Sequence, residues 1–207
     1  MLIYLRHGKT GLNLGGTQEA LRGWLPVPLT PEGRQQAQAA GEELKGMQPA
    51  TFSTSDLKRA METSAIVGKA IGKSALPDPA IRDWNTGHLA GQKFQDVKDV
   101  LHYYVDHPDE AVPGGEPLNE YLNRFVPAMK SRIHDSGVHL VTGHARGTSI
   151  LQGIASPVGG KGLDIDAAYL KKRPDVQPGE IIQIHPSWDI AKFTRANALS
   201  RLKEASK

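Results

Sequence analysis

Leu2-Ile3-Tyr4-Leu5-Arg6-His7-Gly8-Lys9-Thr10 opens the chain, and this stretch decides the fold. Leu2 to Leu5 is a short apolar run ending at a glycine-containing turn, the pattern of a buried strand. A cation and an imidazole stand directly after it. In open α/β sheets, ligands sit beyond the carboxyl ends of strands. A second strand, expected over 138–142, leads to His144 in the same way. Between these strands the reading alternates. A helix is expected over 30–46, with Thr30 as N-cap and Pro31 in the first turn. A strand is expected over 50–53, and a helix over 56–71 with Asp56 as cap and Gly72 just beyond its end. Further helices are expected over 94–104, 118–133 and 148–154, and a last strand over 180–185. The polar tail, 194–207, reads as helical or frayed. The β-α alternation implies an α/β layered fold with a mostly parallel sheet. The segment 81–115 lies between two such units and reads as an excursion over the sheet.

Composition narrows the function. The chain has 207 residues, enough for one sizeable core, with 39% hydrophobic and 23% charged residues. Lys and Arg number 25 against 22 Asp and Glu, a formal charge of +3. That charge is too small and too dispersed for nucleic-acid binding. The basic run Lys171-Lys172-Arg173 reads as a solvated turn. With no cysteine, thiol nucleophiles, disulfides and cysteine-ligated metals are excluded. No apolar run reaches the roughly 18–20 residues that cross a bilayer. Met1 to Leu5 runs straight into Arg6, which is no signal-peptide pattern. A soluble, cytoplasmic protein without a membrane partner is expected.

Several apparent motifs fail. The glycines of 68–74 are misplaced for a P-loop, and the segment ends a helix instead of leaving a strand. The segment 143–147 has the glycine spacing of a nucleophile elbow, but Ala145 stands at its centre. Gly159-Gly160-Lys161-Gly162 has no strand before it. His102, His107, His134 and His139 match no zinc spacing.

What survives is Arg6-His7-Gly8 with Thr10 and Asn13 just after it, Arg59 early in the second long helix, and His144. Arginine forks match phosphate oxygens bidentately, and a neutral imidazole can attack phosphorus. Nearby cations disfavour imidazolium, so Arg6 and Arg59 should keep His7 neutral. His144 could donate to the equatorial oxygens as charge builds in the transition state. The arginines and His144 supply the positive charge, so no metal or cofactor is required.

At these residues the chain resembles the histidine phosphatase superfamily, the phosphoglycerate mutase-like proteins, over roughly residues 2–155. Leu5-Arg6-His7-Gly8-Lys9-Thr10-Gly11-Leu12-Asn13 is similar to the family's L-R-H-G-x-T-x-x-N opening. Arg22-Gly23-Trp24 and Pro28-Leu29-Thr30 resemble its G-W and P-L-T segments. Residues 53–63 match S-x-x-L-x-R-A-x-x-T, and Pro113-Gly114-Gly115-Glu116 resembles P-G-G-E. Thr142-Gly143-His144 is similar to the second-histidine motif.

The resemblance implies a three-layer α/β/α sandwich, phosphoglycerate mutase-like, forming a single domain over 1–207. It implies that His7 becomes phosphohistidine. Arg6, Arg59 and His144 would surround the phosphate, Asn13 would help bind it, and Arg22 and Gly23 would contact the rest of the substrate. The family's general acid is commonly a Glu in L-R-E-x-x-x-G. Here Ile81-Arg82-Asp83-Trp84-Asn85-Thr86-Gly87 puts Asp83 there, one methylene shorter, with Glu116 as the alternative acid. Where the family has a glycine pair after the second histidine, this chain has Ala145-Arg146. Arg146 either adds charge to the pocket or points outward. The activity expected is metal-independent hydrolysis of a small phosphomonoester. The alternatives are a cofactor-dependent phosphoglycerate mutase, or a catalytically weak phospho-ligand-binding protein on the same scaffold.

Overall fold

The computed structural model describes residues 1–155, 165, 167–171, 176–187 and 189–194. Strand β1 (Leu2–Arg6) is buried along its whole length, and its side chains feed two different cores. Leu2 and Tyr4 join one apolar cluster with Phe125, Val126, Met129, Val141 and Ile150. Ile3 and Leu5 join another with Ala40, Leu44, Phe52, Val67 and Leu140. Successive side chains of a strand point to opposite faces. A strand buried on both faces must therefore lie between two helical layers, as the opening run implies.

The strands β2 (Thr51–Thr54), β3 (Leu76–Pro77), β4 (His139–Gly143), β5 (Ile181–Ile184) and β6 (Ile190–Lys192) complete a six-stranded sheet in the order β3-β2-β4-β1-β5-β6. β1 and β2 both run parallel to β4, and β3 runs parallel to β2. β5 is antiparallel to β1, and β6 to β5. The sheet is mostly parallel with an antiparallel margin. The carboxyl ends of β1, β2 and β4 lie together, placing His7, Ser55 and His144 at one edge.

The helices are α1 (Pro31–Leu44), α2 (Lys58–Ile71), α3 (Phe94–Asp106), α4 (Leu118–His134), α5 (Ala145–Ala155) and α6 (Ala167–Lys171). α1 begins as its sequence implies. Thr30 Oγ1 accepts from the Gly33 N–H at 3.0 Å, and Pro31 takes the first position. α2 ends at Gly72, whose φ of 71° suits a residue without Cβ. Its start differs from expectation. The helix begins at Lys58, and the cap position is Leu57, with no side-chain cap bond. Ser55 Oγ accepts the Leu57 N–H at 3.3 Å instead, and Asp56 is held by the Arg82 fork, Nε–Oδ1 2.7 Å. A bidentate guanidinium competes better for this carboxylate than a helix N–H does.

α5 starts immediately after His144, three residues earlier than expected. β3, α6 and β6 add to the elements expected from sequence, and the tail 195–207, with most of 156–175, lies outside the described residues. Segment 81–115 carries a 3-10 turn, Gly87–Leu89, and then α3.

The turn after β1 packs against the first turn of α1 at glycines. A Cβ on Gly8 would strike the Gly33 carbonyl, and one on Gly33 would strike the Lys9 carbonyl. Backbone atoms cannot yield there, so Gly33→Ala should destabilise by about 1–3 kcal/mol. In urea titration the midpoint should fall with an unchanged slope.

Candidate active site

The nucleophile candidate is positioned by its own backbone. His7 is fully buried, and its Nδ1 lies 2.8 Å from the Gly8 carbonyl oxygen. A carbonyl can only accept, so Nδ1 carries the proton and Nε2 keeps a lone pair. That lone pair faces Arg59, whose Nε–H donates to it at 3.2 Å. The same loop is pinned by Thr63, whose hydroxyl donates to the Arg59 carbonyl (2.8 Å) and accepts the Gly8 N–H (3.1 Å). One turn of α2 thus ties Arg59 and the His7 loop together.

Arg59 is buried in the first turn of α2. Its Nη2 donates to the Gly23 carbonyl at 2.9 Å and Nη1 to that of Leu25 at 3.3 Å. Nη2 also lies 3.6 Å from Asp83 Oδ2. Gly23 has a φ of +45°, and a Cβ there would meet Thr86 Oγ1 at 2.8 Å. This glycine lets the 23–25 segment reach under Arg59.

The His144 ring stands 5.3 Å from that of His7, centroid to centroid. Its Nε2 is 2.8 Å from Ser55 Oγ, and its buried Nδ1 has no partner among the described residues. The backbone of His144 is clamped by Tyr4. The tyrosine hydroxyl accepts the His144 N–H (2.8 Å) and donates to the His144 carbonyl (3.2 Å). Cβ atoms on Gly143 or Gly147 would collide with this hydroxyl. The glycine spacing of 143–147, which fails as a nucleophile elbow, makes room for a phenol.

Arg6, next to His7, and Gly23, whose carbonyl holds Arg59, line a cavity of about 530 Å³, whose walls also include Asn13, Arg22, Asp83 and Arg146. The buried Arg6 and Arg22 Nε atoms lack partners among the described residues, while their Nη1 atoms donate to the Val176 carbonyl (2.6 Å) and Glu19 Oε1 (2.8 Å). Asn13 accepts from the Thr10 N–H and hydroxyl and donates to Glu19 Oε1 at 3.0 Å. Sequence reasoning missed Glu19, which ties Asn13 to Arg22. Its signal was a lone carboxylate three residues before an arginine.

Asp83 lines the cavity. Trp24 Nε1 and Arg124 Nη2 donate to its carbonyl at 2.8 and 2.9 Å, and its own Oδ1 accepts the Trp84 N–H at 3.1 Å. Oδ2 is left toward Arg59. Glu116 is engaged elsewhere. Arg124 holds its Oε1 at 2.6 Å, the Asn85 N–H donates to the same oxygen at 2.9 Å, and it is not among the cavity-lining residues. Arg146 lines the wall, so of its two expected directions it takes the inward one.

Burial, reinforced by Arg59, Arg22 and Arg6, holds the His7 imidazolium pKa well below its ordinary value. Burial and Arg59 do the same to His144. Burial also lowers Arg6 and Arg59, each to about 10, so both remain cations near neutrality. Neutral imidazoles among charged guanidiniums can donate electrons to an electrophile whose oxygens the guanidiniums bind.

A family model described as the histidine phosphatase superfamily (branch 1) matches residues 2–155. A 2,3-bisphosphoglycerate-dependent phosphoglycerate mutase of Mesorhizobium japonicum is 32% identical over 152 residues, 69% of this chain and 71% of that protein. A glucosyl-3-phosphoglycerate phosphatase of Mycolicibacterium vanbaalenii is 35% identical over 136 residues, 64% of this chain and 59% of its own length. Among solved structures, a mycobacterial glucosyl-3-phosphoglycerate phosphatase complexed with VO3 aligns with a TM-score of 0.71 at 21% identity, covering 93% of this chain and 98% of its own. A phosphoglycerate mutase of Thermus thermophilus aligns with a TM-score of 0.63 at 24% identity, covering 88% and 91%. At such identities the structural likeness shows a shared fold.

Histidines buried neutral make stability depend on pH. Their folded pKa values lie below the unfolded value, so the unfolded chain binds more protons in that window. Stability is then full above the unfolded pKa near 6.5 and declines as pH falls toward the folded values. Each histidine contributes about 1.4 kcal/mol per pH unit. Chemical denaturation between pH 7.5 and 5 should show this fall, and His7→Gln should roughly halve its slope.

Proposed function

The chain belongs to the histidine phosphatase superfamily, and we propose that it hydrolyses a small phosphomonoester through a phosphohistidine at His7. The observation that carries this reading is the His7 lone pair. Nδ1–H is spent on the Gly8 carbonyl, and Nε2 faces the Arg59 guanidinium (3.2 Å), directly behind the cavity-lining Arg6 and Gly23. A phosphoryl group arriving there would meet Arg6 and Arg59 at its oxygens and Nε2 at phosphorus.

The steps follow from the residues. His7 Nε2 forms a bond to phosphorus as the P–O ester bond breaks. Asp83 Oδ2 gives its proton to the leaving alkoxide. Water then attacks the phosphohistidine, its proton passes to Asp83, and phosphate leaves with the His7 lone pair restored. Asp83 must be protonated for the first step. The entering phosphoryl group takes Arg59 as its own partner and brings negative charge beside the carboxyl. The shorter aspartate is supported by its anchoring, since Oδ1 is held by the Trp84 N–H and the carbonyl by Trp24 and Arg124. His144 donates to an equatorial oxygen as charge develops. The guanidiniums supply the charge that a metal would otherwise bring, so the reaction proceeds without one. In this reading residues 1–207 act as one domain in the cytoplasm, with 81–115 over the site.

A second reading draws on relatives named as bisphosphoglycerate-dependent mutases. In that case the phosphoryl group returns to a bound product instead of water. Dependence of isomerisation on added 2,3-bisphosphoglycerate would establish it.

With p-nitrophenyl phosphate and EDTA between pH 5 and 8, the wild type should turn over and His7→Ala should not. Asp83→Asn should lower kcat for a poor leaving group by about 10²–10⁴-fold, and a rapid quench into alkaline detergent should trap phosphate on His7. Turnover surviving His7→Ala would exclude the mechanism.

A further inference from the structure

The cluster of His7, Arg6 and Arg59 accounts for the phosphoryl group, but the wall of the adjoining cavity is also cationic. Five cationic side chains among the described residues line the cavity: Arg6, Lys9, Arg22, Arg146 and Lys171. Three of them already hold a carboxylate. Lys9 holds Glu32 at 2.6 Å, Arg22 holds Glu19 at 2.8 Å, and Lys171 holds Asp106 at 2.6 Å. Among the described residues, Arg6 and Arg146 bind carbonyl oxygens instead, those of Val176 and Leu170. Arg6 belongs to the phosphate site. Arg146 does not, because it lies past His144 in the first turn of α5.

Arg146 is held ready at its place. Nη1 donates to the Leu170 carbonyl at 2.9 Å, and the guanidinium carbon stands 5.3 Å from the centre of the Trp84 ring. Trp84 is fixed in turn, because its Nε1 donates to the Glu116 carbonyl at 2.9 Å. A half-buried guanidinium without a carboxylate is costly in the empty protein, and an anion from the ligand would offset that cost. On the same wall, His102 Nε2 is buried without a hydrogen-bond partner among the described residues.

We infer that Arg146 recognises a second anionic group on the leaving-group side of the substrate, a carboxylate or a second phosphate, with His102 beside it as a further hydrogen-bonding group. The substrate class is then a phosphomonoester whose alcohol portion is itself anionic. This rests on the phosphomonoesterase reading for its catalytic meaning, although the binding claim can be tested alone.

The experiment compares ligands matched except for the second anion. One pair is 3-phosphoglycerate against glycerol 3-phosphate. The other is propane-1,3-diyl bisphosphate against propyl phosphate. Affinities are measured by calorimetry in the His7→Ala background, where turnover cannot interfere, and kcat/KM is measured in the otherwise native chain. The doubly anionic member of at least one pair should bind about tenfold or more tightly. In Arg146→Gln, which keeps an amide donor but loses the charge, the ratio should fall to about twofold or less. Arg146→Lys should lie between, having the charge but not the fork. The pair that responds identifies the anion.

Equal affinities in both pairs, or a preference that survives Arg146→Gln, overturn the proposal. A purely structural Arg146 would weaken both members alike and leave the ratio unchanged, which also overturns it. A ratio that depends on Arg146 with no hydrolysis of any ligand would sink the phosphatase reading while sustaining the anion site. Hydrolysis with an unchanged ratio would do the reverse.

Discussion

The contact between the Arg59 Nε–H and the His7 Nε2 lone pair organises this molecule. It requires a neutral imidazole in one tautomer, and the Gly8 carbonyl selects that tautomer. It requires a guanidinium buried without strain, and the Gly23 and Leu25 carbonyls supply its acceptors. It requires a loop that stays in place, and Thr63 pins that loop to the helix carrying Arg59. Burial then keeps both histidines unprotonated. Remove the cations and the imidazole would protonate more readily and lose its nucleophilic pair. Fold and site therefore meet in a single polar contact at the end of β1.

Much of the fold was legible because its signals are local. Thr30 and Pro31 mark a helix start by side-chain chemistry, and Gly72 marks a helix end by backbone freedom. The opening apolar run told of a strand buried on both faces. The start of α2 was hidden because Asp56 has a distant competitor, Arg82, that no local pattern reveals. The antiparallel direction of β5 was equally hidden. Direction follows from where the chain re-enters the sheet, and a four-residue apolar strand reads alike both ways. β6 is short and half-buried, so its alternation is weak.

The site divides along the same line. Arg6, His7, Arg59 and His144 were legible because each stands beside a strand end or in a helix's first turn. The structure gathers His7, Arg59 and His144 in one polar cluster, and Arg6, Asn13, Arg22, Gly23 and Asp83 line the adjoining cavity. What escaped was the layer that holds them. Tyr4 looked like an ordinary core aromatic, Glu19 an ordinary loop acid, and Thr63 an ordinary helix residue. Their importance lies in contacts with residues far along the chain, 140 positions away for Tyr4. Glu116 stands beside Asp83 as a candidate acid in sequence, and only its distant partner Arg124 shows that it is already engaged.

The Tyr4 clamp separates two motions that are usually linked. One hydroxyl grips the His144 peptide from both its N–H and its carbonyl, while the imidazole is tethered only through Ser55 among the described residues. The ring can change its hydrogen-bond partner by turning about its side-chain bonds without its backbone following. Any change at the imidazole is thereby confined to a side-chain torsion. The sheet edge serves as a stationary bench on which that one part turns.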